Sequence, residues 1–353
     1  MRALEFTAEQ TAHVVDAPPP TPVAGEVLVA VTSAGVCGSD VAALEGAHPF
    51  RVPPLITGHE GGGTVVAVGE GVDDAWIGRS VALEPQRACG ECGPCTETPA
   101  ALPHLCRNRL MLGMAAWTGT LAEYVTAPLI CLYPVEESVP DGLLALVEPL
   151  AVAEHALGRG PDLRDRRVAV LGGGPIGALL VHLAVAAGAA GVLATDPREL
   201  ARDVSARLGA DPVVDPTVDG ALDGRSGTLD VVFVAATAPG VLDQAVALLR
   251  PRGTVVVVGL FGGAVEMDVL ALQQDEKTLT GSMVYTAADF AAAVATLERS
   301  WRDLAALVTD GGGLDGVVTH LEGALAGRPG DVVKLLVRPD GEPVVTSPGS
   351  SRA

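Results

Sequence analysis

A chain of 353 residues, 48% hydrophobic and 19% charged, has the make-up of a folded protein rather than a disordered one. Its length suggests about two domains on a prior of ~150 residues each. With 43 acidic against 23 basic residues the net charge is -20, and only Lys277 and Lys334 are lysines, so a nucleic-acid surface built on clustered cations is excluded.

In chain order, residues 1–35 alternate apolar and polar in short runs such as Glu26–Val31, divided by the turn formers Pro18–Pro20 and Gly25, and predict a β-rich half. Met1–Phe6 enters that alternation without the apolar stretch of a signal peptide, so a cytoplasmic protein is expected. Cys37-Gly38-Ser39-Asp40 and Gly58-His59-Glu60 follow. A thiolate, an imidazole and a carboxylate are zinc-ligand types, and protein ligands that leave one position open to substrate are the form of a catalytic site. Taken singly, such a cysteine and histidine are ordinary core residues. The glycines of Gly58–Gly69, which lead into a strand of small and β-branched residues, change the weight of the pair.

Four of the six cysteines fall between residues 89 and 106. Cys89, Cys92 and Cys95 stand at C-x2-C-x2-C spacing with glycine and proline between them, and a fourth ligand would close a tetrahedral zinc site. Cys106 is favoured for that place, with His104 the alternative, because an all-thiolate set is the commoner structural arrangement. Disulfides are the rival explanation, and the absent signal peptide favours metal. Cys131 is expected to be buried and inert, and Trp117 either to line a substrate pocket or to pack in the core. Glu148 follows the apolar run Leu143–Val147, where a buried carboxylate needs a cation or a hydrogen-bond partner.

From Arg167 the pattern changes. Val168–Leu171, Val192–Thr195, Asp230–Val234 and Thr254–Val258 read as strands buried on both faces of a parallel sheet, alternating with helices in a doubly wound domain. The run Val168–Ala194 is apolar enough to imitate a membrane span, but its glycines and Pro175 mark strand, turn, helix and strand, so no membrane partner is expected. Gly172, Gly174 and Gly177, with Pro175 and Ile176 between them, form a G-x-G-x-x-G that opens a helix over Ala178–Ala187. Asp196 ends the next strand, completing a dinucleotide fingerprint. An aspartate there accepts ribose hydroxyls and repels a 2'-phosphate, which favours NAD over NADP; Arg198 and Arg202 temper that preference. Further on, an amphipathic helix carrying Phe290, Val294, Leu297 and Trp301 and a strand over Val332–Val337 are expected to return to the first half, and the tail Thr346–Ala353 to be mobile.

Together, Gly58-His59-Glu60 through Gly69, the cysteine cluster, Thr118–Val125 and Glu148-Pro149-Leu150-Ala151-Val152 resemble the zinc-dependent medium-chain dehydrogenase/reductase family. The first matches its GHExxGxVxxxG signature, the second its structural-zinc lobe with a longer spacing before Cys106, and the third its "GxxAEY" strand. The fourth matches the "EPLAV" segment of its polyol branch, which contains sorbitol, threonine and butanediol dehydrogenases. The resemblance implies an α/β enzyme: a β-rich GroES-like catalytic domain over residues 1–152 with the zinc lobe at 86–110, a doubly wound Rossmann domain over 153–286, and a return over 287–353. It implies hydride transfer between NAD and a secondary alcohol in a cleft between the halves, with one catalytic and one structural zinc. Cys37 and His59, with Glu148 or Glu60, would hold the catalytic ion, Ser39 would pass the proton outward and Asp40 would orient His59. Val258-Gly259 resembles the segment that passes the nicotinamide, and Lys277–Ser282 the last strand of the sheet. Dimers or tetramers are expected, often through joined nucleotide-domain sheets. Two departures stand out: Ala42 occupies the place of a relay histidine, for which His48 is a substitute less favoured than its reading as an ordinary surface histidine, and Ala201 the place of a basic ribose contact. Rival functions are a biosynthetic aminocyclitol dehydrogenase with the same chemistry and a nucleotide-binding protein without catalysis.

Overall fold

Val27, Val29 and Val31 are buried at alternate positions of the strand Glu26–Gly35, and this period-two pattern anchors the larger sheet of the first half. The computed structural model describes residues 1–8, 10–48, 51–97, 101–114, 116–328 and 330–344. Two compact units emerge, Met1–Glu148 with Thr286–Ala353, and Pro149–Tyr285.

In the first unit a seven-stranded sheet runs Leu132–Pro134, Ser80–Leu83, Glu60–Val68, Glu26–Gly35, Lys334–Val337 and Val308–Asp310, with Tyr124–Pro128 also pairing on Glu26–Gly35. Register sets the site: Gly35 lies opposite Glu60 on one side and Leu336 on the other. The ends of three strands far apart in sequence therefore converge just before Cys37. Phe6, Val29, Val65, Leu83, Leu121 and Val337 belong to the apolar core beneath them.

The second unit is built on six parallel strands in the order Val213–Val214, Gly191–Thr195, Arg167–Leu171, Leu229–Val234, Leu249–Val257 and Thr278–Gly281. Numbered along the chain this is 3-2-1-4-5-6, the doubly wound order whose switch point, beside the first strand, receives a dinucleotide. The apolar run Val168–Ala194 resolves into strand, the helix Pro175–Ala186 and strand, and among the described residues no helix is long and apolar enough to cross a membrane.

Several boundaries differ from the sequence reading. The helix expected over Ala178–Ala187 starts at Pro175, because Gly174 caps it and proline at the first position brings its φ already set. Thr118–Glu123 is not strand. Its backbone instead bonds Ile56, Gly58, Thr57 and Arg2 in turn, and extended pairing begins at Tyr124. The strand expected to end at Val258 stops at Val257, since the N–H groups of Val258 and Gly259 both turn onto Val234 O at 2.9 Å. The returning strand is Lys334–Val337, and the edge strand is Thr278–Gly281. The tail Thr346–Ala353 lies outside the described residues.

Candidate active site and metal centres

Cys37 precedes the short helix Gly38–Leu44, and Asp40 at its third position folds back so that Cys37 N donates to Asp40 Oδ2 at 3.0 Å. Asp40 is fully buried, and its Oδ1 accepts from Arg51 Nη1 and Thr57 Oγ1, each at 2.9 Å. Burial opposes the charge on Asp40, but the Arg51 guanidinium and the hydrogen bonds from Cys37 N and Thr57 more than offset it and hold the carboxyl below its ordinary value. Burial, then Arg51, drives His59 down to about 3, so His59 is a neutral imidazole and Arg51 is the cation that matters to Asp40. Neutral imidazole is the ligand form.

Cys37, His59 and Glu60 each offer a donor atom, and the three donors lie within 4.8 Å of one another. Burial, followed by the neighbouring Glu60, pushes the Cys37 thiol up to about 11. His59 Nδ1 is buried without a hydrogen-bond partner among the described residues, at 3.8 Å from Asp40 Oδ1. The donor set fits zinc. Glu60 carboxylate occupies the space a side chain at Gly35 would fill, which is why that strand ends in glycine. Glu148, 8% exposed in the first turn of the helix Val147–Arg159, is not one of the three clustered donors; its charge is felt by Lys334.

Two functional residues went unseen in the sequence. Lys334, 1% exposed, pairs with Glu60 and donates to Val36 O at 3.0 Å. Arg51, 2% exposed, reaches Ser39 Oγ at 3.3 Å as well as Asp40, while its backbone N–H donates to His48 Nδ1 at 3.1 Å. A lone lysine in an otherwise apolar strand was the available signal for the first; Arg51 sits in no motif. Ala42 lies in the helix Gly38–Leu44, and Trp117 packs against the core with its Nε1 on Thr126 O.

The cysteine cluster brings together Cys89, Cys92, Cys95 and Cys106, all free thiols. Four of their Sγ–Sγ separations are 3.9, 3.5, 3.6 and 3.5 Å. A tetrahedron of Zn–S bonds near 2.3 Å has edges of roughly 3.8 Å, so the four sulfurs fit a closed zinc site. Backbone N–H groups of Glu91 and Cys92 bring the Cys89 thiol down to about 6, toward the thiolate a metal needs. His104 is buried nearby, and Arg109 Nη1 braces its carbonyl and that of Cys106. Cys131 is buried, its thiol pushed up to about 12 by burial and then Glu84.

In the second unit Gly172 turns at φ +104°, and Gly177 packs so closely on Gly172 O that no side chain fits there. Gly173 N donates to Asp196 Oδ2 at 2.9 Å, tying the turn to the end of the next strand. A cavity of about 300 Å³ opens beside Gly172, Thr195, Asp196, Pro197, Thr217 and Gly240. Gly174, Pro175 and Ile176 start the adjoining helix, and Val258 and Gly259 directly follow the strand Leu249–Val257 of the same sheet. Ala201 is buried in the following helix.

Residues 23–137 match the alcohol dehydrogenase GroES-like domain, and residues 175–299 the zinc-binding dehydrogenase domain. The starvation-sensing protein RspB of Escherichia coli is 33% identical over 73% of this chain and 76% of its own length. The 2-dehydro-3-deoxy-L-galactonate 5-dehydrogenase of Pseudoalteromonas atlantica is 32% identical over 86% of this chain and 89% of its own. Among solved structures, the 2R,3R-butanediol dehydrogenase of Bacillus subtilis is 28% identical with a TM-score of 0.85, covering 96% of this chain and 99% of that one. The chain belongs to the zinc-dependent medium-chain dehydrogenase/reductase family, of the polyol type. It is a zinc- and NAD(P)-dependent oxidoreductase that interconverts an alcohol and its ketone.

Proposed function

We propose that this enzyme oxidises a secondary hydroxyl of a polyol or sugar alcohol with NAD, reversibly. The observation that carries the reading is the convergence of Cys37, His59 and Glu60, whose donor atoms lie within 4.8 Å of one another. Glu148, in the segment that matches the polyol branch, is the further carboxylate that would exchange with Glu60. Zinc bound there would act as a Lewis acid toward the substrate oxygen and lower the pKa of the hydroxyl. The chain's own residues do the rest. Ser39 Oγ, held by Arg51, would accept the hydroxyl proton as it releases its own outward to solvent, and a bound nicotinamide would supply the acceptor for the carbinol hydride, so that the alcohol leaves as a ketone. Asp40, locked by Arg51, Thr57 and Cys37 N, keeps the loop and His59 in register.

Gly172, Gly174, Pro175, Ile176 and Gly177 would receive the pyrophosphate, Asp196 the ribose, and Val258-Gly259 the nicotinamide side, with NAD preferred because Asp196 repels a 2'-phosphate. Cys89, Cys92, Cys95 and Cys106 would hold a second, structural zinc. Six free thiols suit the reducing cytoplasm. The edge strand Thr278–Gly281, with Leu279 exposed, supports a homo-oligomer joined sheet to sheet.

The test is NAD reduction, followed as NADH absorbance, over a panel of polyols and other secondary alcohols before and after chelation. Turnover with at least one polyol that chelation abolishes and zinc restores is expected. A signal indifferent to chelation, or none with any alcohol, overturns the proposal.

A further inference from the structure

Asp196 ends its strand with a carboxylate whose acceptor positions are already taken. Oδ2 accepts from Gly173 N at 2.9 Å and Arg198 Nη2 at 3.3 Å; Oδ1 accepts from Arg198 N at 2.9 Å and Arg198 Nε at 3.1 Å. An ionised carboxylate has about four lone-pair sites. All are engaged, and Arg198 supplies three of the donors. The Asp196 side chain is 9% exposed and that of Arg198 43%, so the carboxylate is fixed and the guanidinium is the partner able to leave. Arg202 plays no equivalent part. Its Nη1 is spent on Asp196 O, Pro197 O and Asp215 Oδ2, at 2.9, 2.7 and 3.3 Å.

We propose that Arg198 is a latch on Asp196 that sets the balance between the two nicotinamide dinucleotides, weakening NAD and strengthening NADP. The inference rests on the dinucleotide reading given above. A ribose diol needs acceptor positions on Asp196, and it obtains them only by displacing the Arg198 guanidinium. The guanidinium half of the pair is open to solvent and is rehydrated as it leaves, so the displacement costs NAD roughly threefold in affinity. A 2'-phosphate makes the opposite demand: it is repelled by Asp196 and attracted by a guanidinium fork that can transfer from carboxylate to phosphate. Asp196 alone would therefore make a strict NAD enzyme, and the latch narrows that preference.

Arg198 suits substitution. It stands at the N-terminal boundary of the helix Glu199–Arg207 but makes no side-chain cap, and its backbone bond to Asp196 survives any side-chain change. The experiment measures Kd for NADH and NADPH by nucleotide fluorescence on the full chain, for the wild type, Arg198→Ala, Arg198→Met and Arg198→Lys. In the alanine and methionine variants the NADH Kd is expected to fall roughly threefold and the NADPH Kd to rise about tenfold, with lysine between them and the wild type. Opposite movement of the two constants is the signature, since a merely structural lesion would weaken both. Both constants moving the same way, or a ratio unchanged in the two neutral variants, overturns the latch while leaving the dinucleotide reading standing. If the wild type binds neither dinucleotide, that reading falls and the latch with it.

Discussion

Lys334 carries the positive charge against which the three clustered donors are set. Burial opposes its ammonium, but Glu60 and then Cys37 more than offset this and hold its pKa above the ordinary value. Removing one member of a buried pair strands the other and costs ~3–5 kcal/mol, whereas removing both costs far less. Lys334→Met is therefore expected to destabilise the protein by about that amount, and Lys334→Met with Glu60→Gln by clearly less than the sum of the single changes. Urea unfolding of the four proteins of this cycle, all freed of metal, checks it; additive changes would mean that the pair is not coupled. Cys37, His59 and Glu60 were legible in the sequence because each sits in a short motif whose residue types are themselves the chemistry. Lys334 was not, since its contact with Val36 O joins positions 298 apart and exists only once three strands take their register. Arg51 was hidden differently: it is near Ser39 and Asp40 in sequence, but nothing about an arginine before Val52-Pro53-Pro54 says that it turns inward.

Elements were legible where a strong period or a breaker marks them. Helix Ala287–Leu304 buries Phe290, Val294, Leu297 and Trp301 at helical spacing, and the nucleotide sheet follows from its unbroken β-branched runs. Thr118–Glu123 misled because its strand was expected from family resemblance alone, while its N–H and C=O groups are satisfied irregularly by three other segments. The cysteine lobe is the element most dependent on chemistry rather than packing. Between residues 87 and 110 only His104 and Cys106 are buried among the described residues, and the lobe's secondary structure is two-residue strands and single turns. So small a piece has no apolar core of its own, and the structural zinc proposed above would supply what holds it together. Cys92→Ser is expected to lose one zinc per chain and to open the lobe to limited proteolysis between residues 87 and 110. The nucleotide unit should still bind NADH. Metal analysis and mapping of the first cleavage sites check this, and an unchanged zinc content with no new cleavage would show that the four sulfurs hold no ion.

At the scale of the whole molecule, a net charge of -20 pushes copies of the chain apart, so any stable association must draw on apolar surface. The second unit exposes such surface within one stretch: Leu260 at 79%, Val269 at 66%, Leu270 at 58% and Leu279 at 41%. Leu279 lies on Thr278–Gly281, which pairs with Leu249–Val257 on one side and ends the sheet on the other. An exposed edge that presents unpaired backbone groups beside apolar side chains is a template for a second copy. Full burial of a leucine contributes ~1.5–3 kcal/mol, and a twofold interface counts each residue twice. Screening of like charge adds a salt dependence with a definite sign, because the Debye length falls from about 30 Å at 0.01 M to about 10 Å at 0.1 M ionic strength. Sedimentation velocity is therefore expected to show the oligomer weakening as salt is removed, and Leu279→Asp to give monomers at every salt concentration while NADH binding persists. An oligomer indifferent to that substitution would place the interface elsewhere, and a wild type that sediments as a monomer throughout would leave this edge without a partner copy.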